Sequence, residues 1–316
     1  TLANELKQQN HEIVFICREL TDNLILLINY PVLVLPKNDN FQSDGLYLNW
    51  LGATQEQDAE QTIKAIPKNT DLLIVDSYAL DEIWHKKLRP YTIKIMVIDD
   101  LADRQFDCDV LLNQNLSVKR NNYKDKVPNE CELLLGCDYA LLRPEFSNLR
   151  ERALEKRKNT KEIKNILISV GGSDSENITY DILQDICGDL NIVVVLGSSS
   201  PHHKMIKRYA ENNKNIKVIV DANNMSELMF DADLAIGAGG STSWERCCLG
   251  LPTLIYILAE NQRKIAENLE RLNAVKIMGN LKVDLQNILN DFSSWQAMSE
   301  KAQTICDGLG VKRIKI

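Results

Sequence analysis

Gly237-Ala238-Gly239-Gly240-Ser241-Thr242-Ser243-Trp244-Glu245 gathers residue types that suit a bound anion. Three glycines remove the Cβ atoms that keep a phosphate away from backbone N–H groups. Serine and threonine add hydroxyl donors and can cap a helix. The stretch follows Asp233-Leu234-Ala235-Ile236, which reads as a buried strand, and runs into Glu245-Arg246-Cys247-Cys248-Leu249, which reads as a helix opening. Such a junction turns free N–H groups toward a crevice at the strand's carboxyl end. A phosphate or pyrophosphate fits there. Taken alone, a glycine-rich stretch is also compatible with a plain turn.

A second loop strengthens the ligand reading. Gly171-Gly172-Ser173-Asp174 ends the strand-like Ile166-Leu167-Ile168-Ser169-Val170 and leads toward a helix over 178–186. Two small-residue loops after two buried-type strands predict a ligand crevice at the edge of a parallel sheet. Neither loop matches the spaced glycines of the dinucleotide fingerprint, and neither carries the lysine of a triphosphate P-loop.

The surrounding elements alternate. The chain opens with an amphipathic helix over 1–10, Leu2 and Leu6 lying four apart, followed by the strand His11–Cys17. An α/β domain places its first strand before such a helix, so the natural protein is expected to begin earlier, with a strand and a loop ahead of Thr1. Strands are predicted over 31–35, 71–76, 94–100 and 110–113, with helices over 58–66 and 80–88. The charge-rich stretch 151–162 reads as a surface helix or linker. Strands then recur at 166–170, 191–196, 216–220, 234–236 and 253–257. Near-continuous apolar runs separated by helices indicate parallel sheets covered on both faces. The fold class expected is α/β: two facing doubly wound Rossmann-like domains, with a cleft at their strand ends. The domain limits expected are 1–155, 156–293 and a C-terminal segment, 294–316, whose helix packs back on the first domain.

Composition narrows the partners. The 316 residues are 44% apolar and 26% charged, with a net charge of −7. That balance argues against a broad nucleic-acid-binding surface. No apolar run reaches the roughly 20 residues that span a bilayer. Eight cysteines in this length make no disulfide scaffold, and neither a CxxC pair nor metal-spaced histidines occur. Cys17, Cys187 and Cys248 sit in apolar runs and read as inert core residues. The expectation is a cytoplasmic, reduced, monomeric protein without a leader, a membrane partner or a metal.

Longer matches carry a family resemblance. They are Gly237 to Cys247 with Gly250-Leu251-Pro252 and Ala259-Glu260-Asn261-Gln262, and Gly171-Gly172-Ser173-Asp174 with Asn177. In the first half they are Asp76-Ser77-Tyr78, Ile98 to Arg104, Leu112 to Asn115, and Gly136 to Phe146. In these motifs the chain resembles the nucleotide-sugar hydrolases of pseudaminic acid biosynthesis, over nearly its whole length. Those enzymes are similar in fold to UDP-using, GT-B-type glycosyltransferases. The resemblance implies hydrolysis of UDP-2,4-diacetamido-2,4,6-trideoxy-β-L-altropyranose to UDP and free sugar. Water attacks the anomeric carbon with inversion, and no metal or other cofactor takes part. It also implies that the main catalytic histidine lies in a loop ahead of residue 1. None of His11, His85, His202 and His203 holds that place. UDP-sugar transfer to an acceptor, or UDP-sugar binding without turnover, remain the alternatives.

Roles follow for the residues present. Gly239, Gly240 and Ser241 suit the diphosphate. Glu245, one helical turn past Ser241, either accepts from ribose or sugar hydroxyls or serves in a cap or salt bridge. Glu260, Asn261 and Gln262 offer mixed donors and acceptors for the nucleotide or an acetamido group. Gly171 and Gly172 belong to the same crevice. Asn177 suits an acetamido group or the diphosphate, and Asp174 is equally a ligand or a helix cap. Tyr78 resembles the family's cleft tyrosine and positions sugar or water. Asp99 and Asp100 are adjacent, so their side chains point apart, and one is expected to be structural. His202-His203 reads as a surface pair. Trp244 reads as core packing rather than a uracil stack.

Overall fold

The computed structural model describes residues 1–316 except Asp22, Asp39, Asn40, Cys187 and Ile316, and except the side chains of Leu46 and Asn261. Cys187 and the side chain of Asn261, both singled out above, therefore lie outside the described residues. The chain forms two compact units, Thr1–Tyr139 and Ala140–Lys315.

The first unit opens with α1 (Leu2–Gln8), which buries Leu2 and Leu6. β1 (Phe15–Arg18) and β2 (Val32–Leu35) pair in parallel as a two-stranded sheet. After α2 (Leu46–Leu51), α3 (Gln55–Ala65) starts at Thr54, whose hydroxyl and the Gln57 amide form a capping box. β3 (Thr70–Asp76), α4 (Glu82–Leu88), β4 (Thr92–Ile98), β5 (Val110–Asn113) and β6 (Glu132–Leu135) follow. These four strands form a second parallel sheet in chain order. α3 ties β1 to α4. Asp58 on α3 pairs with Arg18 at 2.6 Å and accepts the Trp84 indole N–H at 2.9 Å. Both charges are buried, and each has further hydrogen-bonding partners, as a buried ion pair requires.

The second unit runs α5 (Pro144–Asn159), β7 (Asn165–Ser169), α6 (Ile178–Asp185), β8 (Asn191–Leu196), α7 (His203–Glu211), β9 (Ile216–Val220), α8 (Met225–Asp231) and β10 (Leu234–Ala238). It continues with α9 (Thr242–Cys248), β11 (Thr253–Tyr256), α10 (Glu260–Arg271), β12 (Lys276–Ile277), α11 (Leu281–Asn290), α12 (Phe292–Ala302) and α13 (Gly310–Arg313). Its six strands are parallel, in the order β12-β11-β10-β7-β8-β9. Apolar, β-branched runs such as Ile192-Val193-Val194-Val195 suit strands covered on both faces. Ile166, Ile168, Val194, Ile236 and Leu254 pack with Ile182 of α6, Ile206 of α7 and Trp295 of α12.

Two boundaries differ from the sequence reading. The stretch 151–162, read as a surface helix or linker around a domain boundary at 155, lies largely in α5, which belongs to the second unit. The helix docks through basic side chains as well as through the buried Phe146 and Ala153. Arg157 donates to the carbonyls of Ala232 and, at 2.7 Å, Met229, while Lys156 donates to Phe230 and Asp231 at 2.8 and 2.6 Å. These are the unsatisfied carbonyls at the end of α8. Arg150 does the same for Cys248, Cys306 and Gln303 at 2.5, 3.0 and 2.7 Å. The final helix, expected over 294–308 on the first domain, is α12. It ends at Ala302 and packs in the second unit, where Trp295 is core and Ser299 bonds the Gly250 carbonyl at 2.7 Å. No helix among the described residues is long and apolar enough to cross a membrane.

Candidate functional site

The order of the second sheet sets its candidate site. β7 and β10 are neighbours, with Ser169 beside Gly237. From β7 the chain moves to β8 on one side; from β10 it moves to β11 on the other. The two loops therefore diverge and open a crevice at a topological switch point. They are Gly171–Asp174 and Gly237–Ser241, so both glycine loops of the sequence meet at one place.

Backbone demands explain these glycines. Gly171 has φ +116°, which disfavours any residue with a side chain, while a Cβ on Gly172 or Gly240 meets nothing within 4 Å. Both loops thus present open backbone. Gly237 differs: a Cβ there would press on the Arg246 guanidinium and lie 2.6 Å from the Ser169 carbonyl. A Cβ on Gly239 would crowd Ile255 and Ala266 at 3.3 and 3.4 Å, so this glycine sets the approach of α10.

Arg246 is the residue that the sequence reading missed as a functional group. It is buried directly behind the loop, donating to the Ala238 carbonyl at 2.6 Å and the Ser243 hydroxyl at 2.9 Å. Burial lowers its pKa to about 10, so it keeps its positive charge at neutral pH. That charge favours an anion on the loop. The available signal was an arginine among apolar residues of a helix opening, nine positions past a glycine.

Glu245 is half-buried, and its carboxylate makes no hydrogen bond or ion pair among the described residues. Burial raises its pKa, Arg143 and Arg246 oppose this, and Glu145 adds to it. Asp174 is committed otherwise: its carboxylate accepts from the N–H groups of Ile178 and Thr179 at 2.9 and 3.3 Å and caps α6. Asn177 stands at the start of α6 with φ 61°, and its buried side-chain oxygen has no partner. Gln262 accepts from the Leu258 N–H at 3.2 Å, and exposed Glu260 pairs with Arg263 at 3.0 Å. Ser241 is exposed, and Trp244 is buried. His202 and His203 lie 3.0 and 2.6 Å from the carbonyls of Ser175 and Ser200.

The first unit gathers side chains at the carboxyl ends of β3, β4 and β5. The Tyr78 hydroxyl donates to Asp100 at 3.1 Å. Desolvation, followed by the charge and hydrogen bond of Asp100, holds the Tyr78 phenol well above its usual pKa. Although part of Asp100 faces solvent, the protein packed around its carboxyl raises its pKa, with Tyr78 and Arg104 opposing and Asp99 adding. Asp99 is structural. It is buried and accepts from the Tyr123 hydroxyl at 2.6 Å and the Ala102 N–H at 2.8 Å, with Arg104 at 3.2 Å. Asn113 extends this network through Tyr123 at 2.8 Å.

Residues 145–304 match the glycosyltransferase family 28 C-terminal domain, half of the chain. The chain belongs to this family. Among the relatives of this family 28 chain is the UDP-2,4-diacetamido-2,4,6-trideoxy-β-L-altropyranose hydrolase of Campylobacter jejuni. It is 28% identical over 83% of this chain and 86% of the relative. An uncharacterized protein of Methanocaldococcus jannaschii is 31% identical over 84% of this chain. The match spans about half of that relative, 52% of its length. Two solved structures share the fold of this family 28 chain. MurG of Acinetobacter baumannii superposes with a TM-score of 0.63 at 16% identity, over 98% of this chain and 92% of its own. The UDP-GlcNAc 2-epimerase of Neisseria meningitidis bound to UDP-GlcNAc superposes at 0.61 with 12% identity, over 96% and 98%. The fold is the GT-B-type combination of two Rossmann-like units.

Proposed function

We propose that the chain handles a UDP-sugar and belongs to an enzyme that hydrolyses UDP-2,4-diacetamido-2,4,6-trideoxy-β-L-altropyranose, with water attacking the anomeric carbon and UDP leaving with inversion. The observation that carries this reading is the partnerless carboxylate of Glu245, one turn past an open glycine loop at the switch point. Backbone N–H groups of Gly239, Gly240 and Ser241 receive the diphosphate, and buried Arg246 adds positive potential as charge develops on the leaving group. Glu245 accepts from ribose hydroxyls. Asn177, with its free oxygen, accepts from an N–H or hydroxyl of the ligand. Glu260 and Gln262 flank the nucleotide, and Asn261 is assigned with them from its place in the motif.

Tyr78 and Asp100 are the sugar-side groups. The water-activating base is assigned to none of the four histidines of this sequence. The name of the Campylobacter relative, a hydrolase, supports hydrolysis. The match to a glycosyltransferase family 28 domain favours the second reading, transfer of the sugar to an acceptor. A cytoplasmic location and a monomeric state go with either.

UDP titration calorimetry tests the site. Glu245→Ala should weaken UDP binding by about 1.5–3 kcal/mol, because charge-assisted hydrogen bonds are lost. Tyr78→Phe should leave UDP affinity unchanged and slow turnover in the natural protein. Turnover in 18O-labelled water then separates the activities: label at the anomeric carbon without an acceptor supports hydrolysis, release only with an acceptor supports transfer, and binding without turnover leaves a binding module.

A further inference from the structure

We infer that Tyr47, Trp50 and Tyr78 form a stacking shelf for the apolar face of an acetamido-deoxy hexose ring, with Asp76 and Asp100 taking its polar donors. The inference rests on the UDP-sugar reading above and assigns a sugar-binding shelf to the first unit.

The shelf follows from local structure. Tyr47 and Trp50 lie three apart on α2 and share a face. Their rings meet edge to face, centroids 5.3 Å apart at 64°. Tyr78 joins them from the loop after β3, 5.1 Å from Tyr47 and 6.3 Å from Trp50. The hydrogen bond from Tyr78 to Asp100 fixes the third ring. Gly52, at φ 68°, ends α2 two residues past Trp50 and closes the element.

Exposure marks Trp50 as more than packing. It is 57% exposed, whereas Trp84, Trp244 and Trp295 are 3%, 1% and 0% exposed. Three clustered aromatic rings at the carboxyl end of a parallel sheet stand where α/β proteins bind ligands. Pyranose C–H groups carry partial positive charge and fit the negative π-face of an aromatic ring. The 6-deoxy methyl and the acetamido methyls extend that apolar face. Ring hydroxyls and amide N–H groups are donors, and carboxylates are acceptors. The charges of Asp100 and Asp76 both act on Tyr78, which places the acceptors beside the shelf. The same carboxylates repel a diphosphate, so the shelf is assigned to the sugar and not to the nucleotide.

Trp50 supplies its own probe, because it is the one exposed tryptophan. Acrylamide quenching of tryptophan emission therefore reports on it directly. The probes are UDP and UDP-2,4-diacetamido-2,4,6-trideoxy-β-L-altropyranose, each at saturation by calorimetry. The UDP-sugar should cut the quenching constant at least about twofold, and UDP alone should leave it unchanged. Trp50→Ala should raise the Kd for the UDP-sugar by up to about tenfold and leave the Kd for UDP unchanged, with Trp50→Phe recovering most of the loss. Equal shielding by UDP, or full UDP-sugar affinity in Trp50→Ala, overturns the shelf. Shielding in the natural protein without release of UDP upholds the shelf while removing the hydrolase reading. Failure of the UDP-sugar to bind at all overturns both.

Discussion

The strand ends of the two units are built in opposite ways. The second unit removes side chains: Gly171, Gly172 and Gly240 leave backbone open, and the charge that favours an anion, Arg246, is buried behind the loop. The first unit adds side chains: Tyr47, Trp50, Tyr78 and Asp100 project from a short helix and two loops. Backbone N–H groups suit any phosphate, while rings and carboxylates distinguish one sugar from another. The second unit thus offers a glycine-rich backbone at its strand ends, and the first unit offers side chains.

The sheets differ as well. β7 has strands on both sides, and Ile166, Leu167 and Ile168 are fully buried. Among the described residues β3 pairs with β4 alone, and Leu72, Leu73 and Ile74 are half-buried. Buried titratable groups show a parallel contrast. Arg157 and Arg246 of the second unit are held by backbone carbonyls. His85 of the first unit is wholly buried between Trp84 and Phe106, with neither ring nitrogen hydrogen-bonded.

The largest expected effect separates two glycines of one loop. Gly237→Ala drives a methyl against the Ser169 carbonyl and the buried Arg246 guanidinium. It should cost about 3 kcal/mol or more in urea unfolding, since the charge must move or lose its partners. Gly240→Ala meets open space and should stay within about 0.5 kcal/mol of the parent, while weakening UDP binding by crowding the N–H groups. If both variants unfold alike, the loop is uniformly structural and the contrast between the units fails.

Acid should expose the weak point of the first unit. The His85 pKa is lowered to about 4, burial being the main cause and the charges of Asp81 and Asp107 opposing it. The unfolded chain binds this proton near pH 6.5, so folding is favoured fully above that value and loses ground as pH falls toward 4. The loss is about 1.4 kcal/mol per pH unit, roughly 3 kcal/mol in all. Unfolding curves at pH 7 and pH 4.5 should show His85→Phe losing less stability than the parent. Equal losses would remove His85 as the cause.

The smallest effect is a difference in exchange rates. Amides of β3 that face away from β4 should exchange faster than those of β7, which has ladder partners on both sides. Hydrogen-exchange mass spectrometry resolves the two segments, and equal protection would make the division of the first sheet unimportant to its stability.

Much of this architecture was legible in local residue patterns. The run Asn191–Leu196 was read as the strand that forms, and both glycine loops were placed after their strands, because β-branched periodicity and glycine act within a few residues. Shorter signals were lost. β6, four residues beside Cys131, and α11, with its apolar residues among polar ones, were not predicted.

What the chain alone determined is the set of parts: alternating strands and helices, two open loops, and residue types fit for a diphosphate and a sugar. Only tertiary structure decided their use. It brought the loops of β7 and β10 together at the switch point, although 66 positions separate Gly171 from Gly237 in the chain. It committed Asp174 to capping α6 and left Glu245 without a partner. It assigned α5 to the second unit through Arg150, Lys156 and Arg157. Each decision depends on carbonyls, donors or empty space contributed by residues distant in sequence. Propensity and spacing report the conformation of a segment, whereas the partners of its polar groups are set when segments pack.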